Sequence, residues 1–274
     1  MSNSSLSLIS GPPLSDEEGI GALTLGGWLR EVTERSGSKE ALVLHENGEA
    51  IRWSYNELWE RSNEVAKALL ACGVGKGTRV GVLMTNRPEF LSSFFGIALA
   101  GGIATTLSTF STAAELEYLL ESSGCSILLL ERHVLKKDFA AMLNDIEPMV
   151  STATPGQLQS SKFPYLRHIA MFGDENSYGA IEGWGHFLSK GKNISSTLVE
   201  ATTASVAPAD PGILFFSSGS TGKPKGILSA HRSVSLQMWR WAQWLGLDKN
   251  VRCWSANGFF WSGNFAWAMG GTLS

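Results

Sequence analysis

Ten consecutive residues of this chain have the make-up of an anion cradle: Ser217-Ser218-Gly219-Ser220-Thr221-Gly222-Lys223-Pro224-Lys225-Gly226. They hold three glycines, four hydroxyls and two lysines, directly after the apolar run Ile213-Leu214-Phe215-Phe216. Glycine lets successive backbone N–H groups turn toward an anion, hydroxyls add donors, and lysine adds positive charge. The chemistry expected is the holding of a nucleotide's phosphates. The spacing is not that of a Walker loop, because Gly222-Lys223 is followed by Pro224 and Ser218 occupies the first glycine's place. A Walker loop opens into a helix, whereas Pro224 and Gly226 disfavour one. Ile227-Leu228 therefore reads as a second strand, with helix from about His231. G-x-G-x-x-G is also missing, which counts against a dinucleotide-binding fold.

The ten residues resemble the phosphate-loop signature of the adenylate-forming, AMP-binding superfamily, and are most like those of acyl-CoA synthetases. Further segments are similar to that family's in the same order. Trp53-Ser54-Tyr55-Asn56-Glu57-Leu58 resembles its first core motif. Leu99-Ala100-Gly101-Gly102-Ile103-Ala104 resembles its second, followed by Ala113-Ala114-Glu115-Leu116. Asp210-Pro211 fits the entry to the loop, and Asn257-Gly258-Phe259-Phe260-Trp261-Ser262-Gly263 stands where the family carries an aromatic, acid-binding motif. The resemblance runs from about residue 25 onward.

Two departures bear on function. Thr105-Thr106-Leu107-Ser108 follows the second motif where a proline is common, and Trp261 aligns where many members carry histidine. A larger one is length: the resemblance implies an adenine- and ribose-holding segment and a lysine-bearing C-terminal domain, neither with a counterpart here. After Arg252 the last 22 residues carry no formal charge and include Trp254, Phe259, Phe260, Trp261, Phe265, Trp267 and Met269. This reads as core sequence lacking its packing partners. The expectation is a truncated chain, partly ordered and prone to self-association through an exposed aromatic end.

The resemblance implies two half-reactions. A carboxylate attacks the α-phosphate of ATP to give an acyl-adenylate and pyrophosphate, and coenzyme A then takes the acyl group. Ser217, Ser218, Ser220 and Thr221 would donate to the β- and γ-phosphates with backbone amides near Gly219 and Gly222. Lys225 would supply the cation and Mg2+ would bridge phosphates. Lys223 is expected to face solvent. Phe260, Trp261 and Gly263 are candidates for the acid pocket, though Trp261 reads equally as a core aromatic. His231 reads as a helix-start residue. Two functions follow: a fragment of a carboxylate-activating ligase acting in fatty acid metabolism, inactive alone, or a non-catalytic phosphate-binding remnant or interaction module.

Composition narrows the remaining classes. A net charge of −3 without a Lys/Arg-rich run argues against a nucleic-acid surface. Cys72, Cys125 and Cys253 are odd in number and widely spaced, which fits buried, reduced thiols in a cytoplasmic protein. The five histidines lack zinc spacing. Residues 1–25 read as a serine-rich tail without signal-peptide features. Phe90 to Ala114 is free of charge, but its Ser, Thr and Gly content reads as buried helix, glycine turn and strand, not as a bilayer span.

The elements that would position these residues alternate. Ser54 with Glu57 and Thr112 with Glu115 match capping boxes, opening helices to about Cys72 and Gly124. Asn86, Pro88 and Glu89 mark another helix start. Val80 to Met84 and Ser126 to Leu130 read as strands buried on both faces. The pattern predicts an α/β fold, with largely parallel sheets and helices on both faces. Weak boundaries near 148–164 and 195–210 suggest a sub-layer over 26–200 and a phosphate-loop sub-layer over 205–274.

Overall fold

The computed structural model describes Pro13 and residues 21–217, 222–248 and 250–274. Helix α1 (Leu25–Ser36) is capped by Thr24 and followed by a hairpin, β1 (Glu40–Glu46) and β2 (Glu49–Ser54). α2 (Tyr55–Ala71) precedes β3 (Arg79–Leu83), α3 (Pro88–Leu99), β4 (Ile103–Thr106), α4 (Ala113–Ser123) and β5 (Ile127–Glu131). The short pair β6 (His133–Val134) and β7 (Lys137–Asp138) leads to α5 (Phe139–Ile146) and α6 (Met149–Thr152). Next come β8 (His168–Phe172), β9 (Ile181–Gly183), α7 (Trp184–Ser189), α8 (Ser196–Ala204), β10 (Pro211–Ser217), β11 (Lys225–Ala230) and α9 (His231–Trp244).

Seven strands form one sheet in the order β11-β10-β4-β3-β5-β8-β9. Only the β10–β11 pair is antiparallel, and every other neighbouring pair is parallel. β5 shows how the sheet divides the core. Ile127 and Leu129 face the cluster under α1, α2 and α3, whereas Leu128 and Leu130 face the cluster under α4 and α5. Alternation with period two places a side chain of every strand residue on one face or the other, so a strand covered on both faces is apolar throughout. At Gly96 in α3 a Cβ would lie 2.7 Å from Val65 in α2, so the pair packs this closely only with glycine there.

Both capping boxes form: Ser54 and Thr112 each accept from the backbone three residues on, and Glu57 and Glu115 reach back. Two expectations, on layering and on the cysteines, are corrected. β10 lies against β4 inside the same sheet, so the loop-bearing strands are not a separate layer from 26–200. Parallel pairing lets a late strand extend an early sheet, whatever the composition of the linker before it. The helix start expected at Asn86, Pro88 and Glu89 is found: Arg87 stands at the N-cap without a side-chain capping bond, and Pro88 opens α3. Cys253 is exposed, while Cys125 is buried and Cys72 half-buried. Phe90 to Ala114 does comprise buried helix and strand, and no helix among the described residues is long and apolar enough to cross a membrane.

The aromatic end is packed more than expected. A helical segment with a π-helical stretch at Phe265–Gly270 lays Phe265, fully buried, 4.2 Å from the ring of Phe94 in α3. Phe260 and Met269 are buried too, and Phe259 packs against the core. Only the tryptophans stay open: Trp254 is 85% exposed, and Trp261 and Trp267 are each 48% exposed.

Candidate active site

β10 and β11 place the glycine-rich stretch at the carboxyl end of the parallel strands. The register closes with Phe216 opposite Gly226 and Ser217 opposite Lys225, leaving residues 218–224 as the connection. Ser218, Gly219, Ser220 and Thr221 lie outside the described residues. Gly222 is exposed at φ +93°, and Lys223 and Lys225 are exposed beyond it. Tyr118 of α4 meets this arm of the loop. Its hydroxyl donates to the Pro224 carbonyl at 3.1 Å, and the Lys223 ammonium stands 5.0 Å from its ring centre. Among the described residues no carboxylate pairs with Lys223 or Lys225.

The aromatic segment reaches the same end of the sheet. β10 runs parallel to β4, with Leu214 opposite Thr105, and Thr106 at the end of β4 donates its hydroxyl to the Phe260 carbonyl at 3.1 Å. Just past β3, the Asn86 amide donates to the Asn257 carbonyl at 2.7 Å and the Ser255 carbonyl at 3.3 Å. It accepts from the Phe259 N–H at 2.7 Å. Asn264 holds the same turn from the other side, donating to Asn257 at 2.6 Å and accepting from the Ser255 hydroxyl at 2.6 Å. Of the three acid-pocket candidates, Phe260 is buried, Trp261 lies half-open against it, and Gly263 is exposed. The carboxyl ends of parallel strands are where open α/β sheets bind ligands. Loop and aromatic segment are therefore brought to one edge of the fold.

The AMP-binding enzyme model matches residues 29–274. This chain belongs to the AMP-binding enzyme family. Among its relatives, the acyl-CoA ligase sidI of Aspergillus fumigatus is 28% identical over 84% of this chain. The 3-hydroxybenzoate–CoA/4-hydroxybenzoate–CoA ligase of Thauera aromatica is 29% identical over 80% of it. The chain spans 36% and 37% of those relatives' own lengths. In fold it is similar to the anthranilate CoA ligase AuaEII in complex with anthranoyl-AMP. The TM-score is 0.70 at 23% identity, over 91% of this chain and 43% of that one.

Beneath the aromatic segment of this AMP-binding chain lies a buried charge network. Arg87 donates to Glu131 at 2.7 Å and to Glu89 at 2.7 Å, and its guanidinium stands 4.1 Å from the Phe172 ring centre. Glu131 also accepts from the backbone and hydroxyl of Thr85. Burial opposes the charge on Arg87, but Glu89 and Glu131 outweigh it and raise its pKa. Removing either partner would strand a buried charge, so the network fixes the stretch that holds Asn86.

His231 opens α9, as its place in the sequence predicts, and does no visible proton chemistry. It is buried, its Nδ1 accepts from the Leu25 N–H at 3.3 Å, and burial lowers its pKa to about 4. Sequence reasoning missed Tyr118, Thr106 and Asn264, and read Asn86 only as part of a helix start. The partners of Tyr118, Thr106 and Asn86 lie 106, 154 and up to 173 residues away, and no local spacing signals such contacts.

Proposed function

We propose that the chain carries the phosphate-holding part of an ATP-dependent carboxylate–coenzyme A ligase, acting on a small carboxylic acid in fatty or aromatic acid metabolism. The carrying observation is the strand–loop–strand at 211–230, with Ser217 opposite Lys225 at the carboxyl end of the parallel strands. A bare carboxylate does not acylate a thiol because oxide is too poor a leaving group. Displacing pyrophosphate from ATP converts it to an acyl-adenylate with AMP as leaving group. The catalytic task is to hold two anions together and to neutralise charge developing on pyrophosphate. Lys225, the hydroxyl of Ser217 and the amide of Gly222, with Ser218, Gly219, Ser220 and Thr221, would bind the outer phosphates. The described part of the loop brings cations and no carboxylate, which suits an anion. Magnesium would then be held chiefly by phosphate oxygens and water.

Phe260, Trp261 and Gly263 would border the acid. The buried Phe260 and the half-open Trp261 suit an apolar acyl or aryl group. Three unpaired cysteines, one of them exposed, fit a reducing cytoplasm. Because the relatives are far longer, the resemblance assigns the adenine-holding segment and the catalytic lysine to sequence outside these 274 residues. Calorimetry with magnesium-ATP tests the reading: the chain is expected to bind, and Lys225→Ala to weaken binding by roughly 1.5–3 kcal/mol, as for a charged hydrogen bond. Absence of binding by the parent chain would sink the assignment. Exchange of pyrophosphate into ATP with a panel of acids is expected to be nil, and robust exchange would show that the chain is a complete catalyst.

A second reading, an interaction module, is favoured by the open tryptophans. Trp244 is 70% and Trp254 85% exposed. Self-association through them is compatible with phosphate binding.

A further inference from the structure

We propose that Tyr118, outside the glycine-rich motif, latches the phosphate loop and divides labour between its lysines: Lys223 serves the latch and Lys225 the anion. The second half of this proposal rests on the phosphate-binding reading above; the latch itself does not.

The latch grips one dipeptide at both ends. Pro224 has no N–H, so its carbonyl is its only backbone polar group, and the Tyr118 hydroxyl takes it at 3.1 Å. Proline also keeps the residue before it extended, which restricts Lys223. The Lys223 ammonium is held 5.0 Å from the centre of the same ring. An ammonium over an aromatic face is attracted by the ring's quadrupole. A single side chain thus fixes a backbone acceptor and occupies the neighbouring cation. Lys225 is left for a ligand. It is exposed, opens β11 opposite Ser217, and pairs with no carboxylate among the described residues.

Tyr118 can serve as an anchor because α4 is itself fixed. Leu116, Leu119 and Leu120 are buried against the sheet. The Thr112–Glu115 box starts the helix. Lys137 holds the approach to α4, donating to the carbonyls of Thr109 at 3.0 Å and Ser111 at 2.7 Å. A loop already held in place loses less freedom when an anion arrives, so the latch strengthens binding without touching the anion. Tyr118 is on this account a positioning residue.

The test is a double-mutant cycle on the 274-residue chain, read first without ligand. Hydrogen exchange of the amides at Gly222, Lys223, Lys225 and Gly226 is expected to quicken about two- to fivefold in Lys223→Gln. It should quicken at least as much in Tyr118→Leu, and Lys223→Gln should add nothing further in the Tyr118→Leu background. Unchanged exchange in Tyr118→Leu, or independent, multiplying effects, would overturn the latch. Tyr118→Phe, which keeps the ring and loses the hydroxyl, should fold normally and fall between parent and Tyr118→Leu. If it matches the parent, the Pro224 bond plays no part and the latch as drawn is wrong. Magnesium-ATP titration, at a temperature where parent and variant are both folded, then reads the consequence: Tyr118→Leu is expected to bind about two- to tenfold more weakly. Coupled exchange with no ATP binding in the parent would keep the latch and remove the phosphate-binding reading. ATP binding that is equal in parent and Tyr118→Leu would remove the division of labour.

Discussion

His231 shows how one buried side chain couples a fold to pH. Burial is the main cause of its lowered pKa of about 4; Lys76 adds to it and Asp210 partly opposes it. Because the folded value lies below the ordinary 6.5, protons bind the unfolded chain first as pH falls. The stability it protects is complete above about pH 6.5 and is lost as pH falls toward 4. His168, also lowered by burial, acts in the same direction. Denaturant titration is expected to show a loss of about 2 kcal/mol from His231 between pH 7 and pH 5. His231→Gln should flatten that dependence, and a variant as pH-sensitive as the parent would remove His231 as its source.

Among the elements, what was legible in sequence was what is local. The Ser54 and Thr112 boxes each close within three residues, and both formed as read. The run at Ile127 to Leu130 announced a strand covered on both faces, since polar residues there would face a core. The hairpin β1–β2 passed unread although Asn47-Gly48, at φ +52° and +84°, is a strong two-residue turn signal. Asn86, Pro88 and Glu89 announced the start of α3, but the role of the Asn86 side chain was not legible, since its partners are about 170 residues on. Its clamp gives a prediction for the aromatic segment as a unit. Asn86→Ala should cost about 1–3 kcal/mol, because the Phe259 amide and the Asn257 carbonyl lose a partner. Hydrogen exchange across 255–260 should rise more than at β3. Uniform change across both would mean that Asn86 supports the sheet and not the segment.

For the whole molecule, the family could be read from the ten residues at 217–226 with their supporting segments, and the class of fold from the alternation of strands and helices. The arrangement could not. A boundary inferred from serine- and proline-rich composition fell inside one continuous sheet, because strand order is set by pairing across the chain and not by linkers. The aromatic end likewise looked unpartnered from sequence, since its phenylalanines pack on Phe90 and Phe94 far upstream. What remains open is a set of tryptophans, and at this scale we expect association that rises with concentration. Sedimentation velocity should show it in the parent, and Trp254→Ser with Trp244→Ser should abolish it. A parent that stays monomeric at high concentration would assign those rings no such role.

The first helices are tied to the last residues: the Leu25 amide to His231, the Tyr55 hydroxyl to the Leu273 carbonyl at 3.2 Å, and Arg35 to the Ser274 carbonyl at 2.5 Å. These ties span 206, 218 and 239 positions. On a ribosome, then, α1 emerges before these partners and must wait for the 206 to 239 positions between them to be made before its docking is complete. Contacts of such reach form slowly, since closing so long a loop comes before any reward. During that wait α1 has α2 and α3 to pack on but not α9, and the apolar surface left open in the meantime is of the kind that invites aggregation.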